Sequence, residues 1–148
     1  EDIREAVKFV KDGASAAGRE IDKIDVTAYT AFSIHENEEK AFKAVLPVVA
    51  FIVAGSPDPV LEKHHISLEA AKKIRDALVK GDFPTAFTSV TKDMADVFSL
   101  YGSPTQCIEK ISQILKAGVT QFVVGSPIGG NVRKAIDLVV KEVIPHFK

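Results

Sequence analysis

Two predicted β-strands stand far apart in this chain, and their separation limits the folds that it can adopt. Residues 24–34 alternate between apolar and mixed positions, and residues 119–124 form a short β-branched and aromatic run bounded by glycines. The stretch between them carries helical patterns and no clear strand. Two strands do not make a stable sheet alone, and the helices around them would have little sheet to cover. We therefore expect an α/β chain that is the C-terminal part of a larger protein and needs further strands.

The first predicted strand has two different faces. One face is apolar and consists of Ile24, Val26, Ala28, Thr30, Phe32 and Ile34. The other face carries Tyr29, Ala31 and Ser33, which are too small and too mixed in character for a plain solvent face. We expect this second face to line a cavity.

The last third of the chain predicts a helix, a strand, a glycine-rich turn and a second helix. Ser103 and Gln106 form a capping box at the start of the first helix, which Gly118 ends. The turn at residues 125–131 leads into a helix over residues 132–148. Such turns bind anionic groups or cofactors in many α/β proteins, because backbone N–H groups converge there. The glycine spacing matches neither the dinucleotide fingerprint nor the P-loop, so a phosphate cradle and a packing turn both remain open.

The middle of the chain is predicted to be helical. Asn37 caps a helix over residues 38–54 that is apolar nearly all round from Phe42 onwards. Such a helix is buried on more than one side, so it lies either in a core or at a subunit interface. Further helices are predicted at residues 2–17, 60–65, 68–80 and 91–100.

Charge and composition exclude several classes of function. The net charge of −1 provides no attraction to nucleic acid or to an anionic membrane, so neither is expected as a partner. The longest apolar run, residues 44–55, contains Pro47 and is too short to span a bilayer. The single cysteine, Cys107, excludes an internal disulfide, suits a cytoplasmic protein and is expected to be a small buried side chain. No metal site is expected, because no Cys/His cluster has the spacing of zinc ligands.

Motifs alone identify no catalytic residue. His35 follows the first strand, at the end where α/β folds bind ligands, and is a candidate ligand contact. His64 and His65 are adjacent and cannot share a helix face, and His146 lies in the predicted terminal helix. No histidine belongs to a catalytic triad, because no nucleophile elbow accompanies it.

Three stretches of the sequence match a known family. They are DVTAYT at residues 25–30, VVAFIVAGSP at residues 48–57 and AGVTQFVVGSPIG at residues 117–129. In these stretches the chain resembles the coenzyme F420-dependent methylenetetrahydromethanopterin reductases of methanogenic and related archaea, within the bacterial-luciferase-like superfamily. The resemblance covers essentially the whole chain in order. Gly130 and Asn131 depart from it, because a proline often stands there in the family.

The resemblance implies a fold. It implies that the chain is the C-terminal portion of a (β/α)8 barrel of the luciferase-like type, mostly helical and with about two barrel strands. Residues 1–148 then belong to one barrel domain, in which residues 36–102 form a helical insertion and residues 103–148 the final helix–strand–loop–helix unit. The N-terminal half of the same barrel becomes a required partner, and this chain alone is expected to be inactive.

The resemblance also implies a reaction. Reduced F420, a non-covalently bound deazaflavin, passes a hydride to the small pterin substrate methylenetetrahydromethanopterin and yields the methyl form, in the one-carbon metabolism of methanogenesis. An archaeal, cytoplasmic homo-oligomer is implied as well. The alternatives are another luciferase-like F420 or FMN oxidoreductase, and a non-catalytic helical oligomerisation module built on residues 41–54.

Site residues follow from the resemblance, because barrel enzymes bind ligands at the carboxyl ends of their strands. For contacts with the cofactor the resemblance indicates Thr30, Ala31, Phe32 and Ser33. For contacts with cofactor or substrate it indicates Gly125, Ser126, Pro127 and Ile128. The catalytic residues stay unknown, because the family's catalytic carboxylate belongs to the N-terminal half.

Overall fold

The computed structural model describes residues 2–147 and contains a parallel sheet of three strands flanked by helices. The strands are β1 (Thr27–Ile34), β2 (Ser99–Gly102) and β3 (Gln121–Ile128), in the order β2-β1-β3. The two strands that the sequence predicts, β1 and β3, therefore pair directly with each other. The helices that follow β1 lead to β2, which pairs with β1 on the side opposite to β3.

Local capping signals correctly predict where three of the helices begin. The Asn37 side chain accepts a hydrogen bond from the Lys40 N–H, and Ser67 and Ser103 act in the same way on their own helices. The helices are α1 (Asp2–Ala16), α2 (Glu38–Gly55), α3 (Asp58–Lys63), α4 (Leu68–Val79), α5 (Phe83–Thr88), α6 (Lys92–Phe98), α7 (Pro104–Lys116) and α8 (Val132–Leu138). Short 3₁₀ turns at Ile21–Lys23 and Ile144–Phe147 and a π turn at Val139–Val143 complete the described chain.

Strand β2 corrects the prediction of a helix up to residue 100 and the count of about two strands. The helical part of the 36–102 region ends at Phe98, and Ser99–Gly102 pairs in parallel with the end of β1. All four residues of β2 are buried. A strand this short and buried on both faces shows no alternation of apolar and polar residues, so its sequence could not be told from the end of the preceding helix.

Strand β3 corrects the prediction of a glycine-rich turn over residues 125–131. The strand continues through Gly125 and Pro127 to Ile128, and the connection to α8 is only three residues long. Glycine and proline are common in turns, and for this reason the sequence predicts a turn here. Both also occur in strands, at bulges and edges. The predicted final helix is likewise shorter, because α8 ends at Leu138 and a π turn follows it.

The two faces of the sheet pack against different helices. On one side, which we call the α7 face, Phe32, Ile34 and Leu100 pack against α7 and α8. On the other side, the α2 face, Ala31 and Tyr101 pack in one apolar cluster with residues of α2 and α4. Helices therefore cover both faces of the sheet within residues 2–147.

Arg75 of α4 holds the end of α2 and the segment that follows it. Its Nε donates to the Ala54 carbonyl at 3.1 Å, and its Nη2 donates to the Ser56 carbonyl at 2.8 Å and to Asp58 Oδ1 at 3.0 Å. Carbonyl groups at the end of a helix have no hydrogen-bond donor within the helix, and this guanidinium supplies the missing donors. One side chain thereby ties α4 to α2 and α3.

We expect Arg75→Ala to lower the free energy of unfolding of the intact protein by about 1.5–3 kcal/mol, the range for a lost hydrogen bond from a charged group. Arg75→Lys should recover part of this loss, because one ammonium cannot reproduce the fork of donors. Urea unfolding measures both values. Lys73→Ala, at an exposed position of the same helix, is the control. An equal effect of the two alanine variants would contradict the role of Arg75.

Candidate functional site

The carboxyl ends of the three strands meet at one edge of the sheet. Strands β1 and β2 are joined there by a hydrogen bond from the His35 N–H to the Gly102 carbonyl, at 3.1 Å. Beyond the strands lie the start of α2, the start of α7 and the connection from β3 to α8. Parallel α/β sheets bind their ligands at this edge.

A bulge at Gly125 shapes the pairing of β1 with β3. The register passes from Thr30 opposite Val124 to Phe32 opposite Pro127, and the Ser126–Pro127 peptide is cis. A Cβ atom at Gly125 would lie 2.0 Å from the Thr30 carbonyl oxygen. Only glycine fits at this point, and the space beside it is filled by the backbone of β1.

The predicted cofactor contacts on β1 divide between the two faces of the sheet. Phe32 is fully buried in the cluster on the α7 face, and Thr30 lies beside a cleft between that face and α1. Ala31 packs against α2, and by the alternation of the strand Ser33 is on the same face. The prediction of a cavity beside this second face is met only in part, because Ala31 and Ser33 are buried whereas Tyr29 is 69% exposed.

A buried hydroxyl group, that of Ser33, lies at this edge. The residue is 0% exposed, and its Oγ has no hydrogen-bond partner among residues 2–147. A buried hydroxyl without a partner is costly, so the intact protein or a ligand is expected to supply one.

The predicted contacts on β3 also differ from one another. Gly125 is buried, Ser126 is exposed and Pro127 is half-buried. Ile128 packs against the cluster on the α7 face and has a φ of 63°. The Asn131 side chain accepts a hydrogen bond from the Lys134 N–H, so this backbone donor is already paired and does not serve a phosphate. The geometry thus favours the packing turn over the phosphate cradle.

A cleft of about 560 Å³ lies between the β1–α2 connection and α8. His35 lines it, and its Nδ1 accepts a hydrogen bond from the Asn37 N–H at 2.9 Å, so neutral His35 carries its proton on Nε2. Charged side chains of both signs, among them Lys40 and Asp137, line the cleft as well. His35 is therefore placed as its sequence position predicts, although the cleft selects for neither anions nor cations.

A polar network at the start of α2 was not visible in the sequence. Glu38 Oε2 accepts a hydrogen bond from Gln106 Nε2 at 2.9 Å, and Glu38 Oε1 lies 3.3 Å from Lys92 Nζ. The hydrogen bond from Gln106, assisted by Lys92, lowers the pKa of the Glu38 carboxyl. The Gln106 side chain also accepts from the Ser103 N–H, so it connects the starts of α2 and α7. The capping box was the only local sign of this network.

Cys107 behaves as a small buried residue, as its position in the sequence predicts. It is 0% exposed, and burial raises the pKa of its thiol to about 12. The thiol therefore stays protonated and is a poor nucleophile.

Two further properties of the described residues concern metal ions and membranes. Across residues 2–147, no three His, Cys, Asp or Glu side chains come close enough together to hold a metal ion. Within the same residues, every helix is too short or too polar to cross a membrane.

Comparison with known proteins yields one consistent family. A family model described as luciferase-like monooxygenase matches residues 1–121. The chain is 56% identical to a 5,10-methylenetetrahydromethanopterin reductase of Methanopyrus kandleri over 99% of its own length and 42% of that protein. It is 44% identical to the reductase of the same name from Archaeoglobus fulgidus, of which it covers 46%. The chain thus spans less than half of the curated relatives that it matches.

A solved structure agrees with this result. The coenzyme F420-dependent tetrahydromethanopterin reductase of Methanopyrus kandleri superposes on 99% of this chain with a TM-score of 0.95, and the chain covers 42% of it. At 56% identity this match confirms the predicted fold, part of a luciferase-like (β/α)8 barrel.

Proposed function

The chain belongs to the luciferase-like monooxygenase family, and on this premise we propose that the intact protein is an F420-dependent methylenetetrahydromethanopterin reductase. The observation that carries the proposal is the 56% identity to a reductase of that name over 99% of the chain. Another such reductase, from Methanolobus tindarius, is 49% identical over 97% of the chain. This chain is proposed to be the C-terminal part of the enzyme, completed by the N-terminal half of the barrel.

In the proposed reaction, reduced F420 supplies a hydride and a proton, and methylenetetrahydromethanopterin becomes methyltetrahydromethanopterin. The residues of this chain would bind and position the two ring systems and exclude water from them. Ser33 fits such a role, because its buried hydroxyl has no hydrogen-bond partner among residues 2–147. The exposed Ser126 hydroxyl fits it as well.

The site residues divide into two proposed roles. Ala31 and Ser33 would line the cofactor from the α2 face, and Ser126 would contact cofactor or substrate from the bulge. The others, namely Thr30, Phe32, Gly125, Pro127 and Ile128, would hold the two strands in register beneath them. The packing of Phe32 against side chains of α7 and α8 and the tight fit at Gly125 support the structural role of these two residues.

We further propose that the protein is a homo-oligomer in the cytoplasm of an archaeon. The archaeal part is supported by the sources of the relatives. A single cysteine suits a reducing compartment. The largely apolar helix α2 offers surface for contacts between subunits.

The test is an assay of the intact protein for oxidation of reduced F420 that depends on methylenetetrahydromethanopterin. We expect turnover with this pair and none when the pterin is omitted. Absence of both turnover and F420 binding would exclude the proposal. Binding of FMN instead would support the alternative of an FMN monooxygenase.

A further inference from the structure

A cleft at the carboxyl ends of β1 and β2 combines a carboxylate with an aromatic wall. Its volume is about 440 Å³, and Glu38, Phe42, Lys92 and Tyr101 are among the residues that line it. We call it the Glu38 cleft. Tyr101 of β2 is aligned with Ser33 near the end of β1, so the cleft lies beside the strand ends. Ligand sites commonly have this composition, in which a few polar groups converge on an apolar surface.

Gln106 holds the Glu38 carboxylate in a fixed orientation. Gln106 Oε1 accepts a hydrogen bond from the Ser103 N–H at 2.8 Å, so its Nε2 is left to donate to Glu38 Oε2, at 2.9 Å. Lys92 Nζ donates to the other oxygen at 3.3 Å. Each carboxylate oxygen can accept about two hydrogen bonds, so each retains the capacity for one more donor.

The carboxylate is ionised and accessible. The hydrogen bond from Gln106, assisted by Lys92, lowers the pKa of the Glu38 carboxyl, so it is charged at neutral pH. The Glu38 side chain is 43% exposed and that of Lys92 is 67% exposed. Ion pairs this exposed contribute little free energy, so a ligand with two adjacent donors can compete with Lys92 for this carboxylate.

Phe42 and Tyr101 form the apolar wall of the Glu38 cleft. Their ring centroids lie 5.5 Å apart. The Tyr101 ring is buried, its hydroxyl donates to Asp96 Oδ1 at 2.8 Å, and Lys110 Nζ lies 4.6 Å from its centroid. Phe42 is half-buried, so part of its ring remains accessible from the cleft. A ring that packs against a fixed ring is held in place and offers a firm surface to a flat ligand.

We propose that Glu38 binds the pterin ring of the substrate, by accepting hydrogen bonds from its ring N–H and its neighbouring amino group, while Phe42 packs against the ring. The inference rests on the proposed function. A pterin presents these two donors side by side, and they match the two oxygens of one carboxylate. A deazaflavin instead presents an N–H between two carbonyl oxygens, whose partial negative charges the carboxylate repels. Glu38 therefore selects the pterin and not F420.

The test uses Glu38→Gln and Glu38→Asp in the intact protein. Glu38→Gln keeps the shape of the side chain but removes its charge and replaces one acceptor by a donor. Glu38→Asp keeps the charge at the start of α2 and withdraws the carboxylate by one methylene group. The control is Glu69→Gln, which removes the same charge from the first turn of α4. The measurements are the Kd for methylenetetrahydromethanopterin, the Kd for F420, turnover and the melting temperature.

We expect the Kd for the pterin to rise about ten- to one-hundred-fold in Glu38→Gln, as for lost hydrogen bonds to a charged group, and less in Glu38→Asp. The Kd for F420 should stay within about two-fold in both variants, and the melting temperature should stay close to that of the Glu69→Gln protein.

An unchanged Kd for the pterin in both Glu38 variants would overturn the inference. An equal or larger rise of the Kd for F420 would overturn it too, because Glu38 would then not discriminate between the two rings. An unaltered protein that binds the pterin but shows no turnover would refute the proposed function alone, since the Kd values still decide the role of Glu38. An unaltered protein that binds no pterin would overturn both.

Discussion

Gly125→Ala is expected to lower the free energy of unfolding of the intact protein by at least about 3 kcal/mol, a loss that single substitutions reach only through a specific structural conflict. The added Cβ would lie 2.0 Å from the Thr30 carbonyl oxygen and 3.1 Å from Cζ of Tyr29. The oxygen belongs to the backbone of β1, so relief requires β1 and β3 to separate at the bulge. Urea unfolding followed by circular dichroism measures the loss.

Gly130→Ala is the matched control for this prediction. A Cβ at Gly130 would meet its nearest neighbour, Ala44 Cβ, at 4.0 Å, which is ordinary van der Waals contact. Its stability should change by less than about 0.5 kcal/mol. Gly125→Val should weaken binding of cofactor or pterin as well, because the bulge that exposes Ser126 would be lost. A Gly125→Ala protein as stable as the Gly130→Ala protein would show that the bulge tolerates a side chain.

Signals within a few residues were sufficient to predict most helices. The side chains of Asn37, Ser67 and Ser103 each accept the N–H of the residue three positions later, so the sequence pattern contains the whole interaction. Strand β2 has no such local sign, because it is stabilised by pairing with β1, far away in sequence. The continuation of β3 through Gly125 has the same cause, since the reason for that glycine is the carbonyl of Thr30.

The candidate site could be predicted as a location but not as a set of side chains. The alternation of β1 separated Phe32 from Ala31 and Ser33 in the sequence, and the structure keeps that separation. Which helices cover each face depends on tertiary packing, which a single strand does not encode. The hydrogen bond between Gln106 and Glu38 spans 68 positions and was invisible for the same reason.

Phe32→Ala is expected to destabilise the intact protein by about 3–5 kcal/mol, the usual cost of removing a buried phenylalanine. Phe32 is 0% exposed, lies edge to face with Phe122 at 6.3 Å and fills the cluster between the sheet, α7 and α8. Phe9→Ala is the matched control, because Phe9 is 66% exposed on α1, and it should change stability by less than about 0.5 kcal/mol. Thermal unfolding of both variants measures the contrast.

Phe32→Leu separates a role in packing from a role in cofactor binding. Leucine keeps most of the apolar volume, so this variant should retain much of the stability that alanine loses. The side chain lies on the α7 face, away from Ala31 and Ser33, so the Kd for F420 should stay within about two-fold of its value in the unaltered protein. A large loss of F420 affinity in a Phe32→Leu protein of normal stability would mean that the cofactor reaches the α7 face. The assignment of the α2 face as the ligand side would then be wrong.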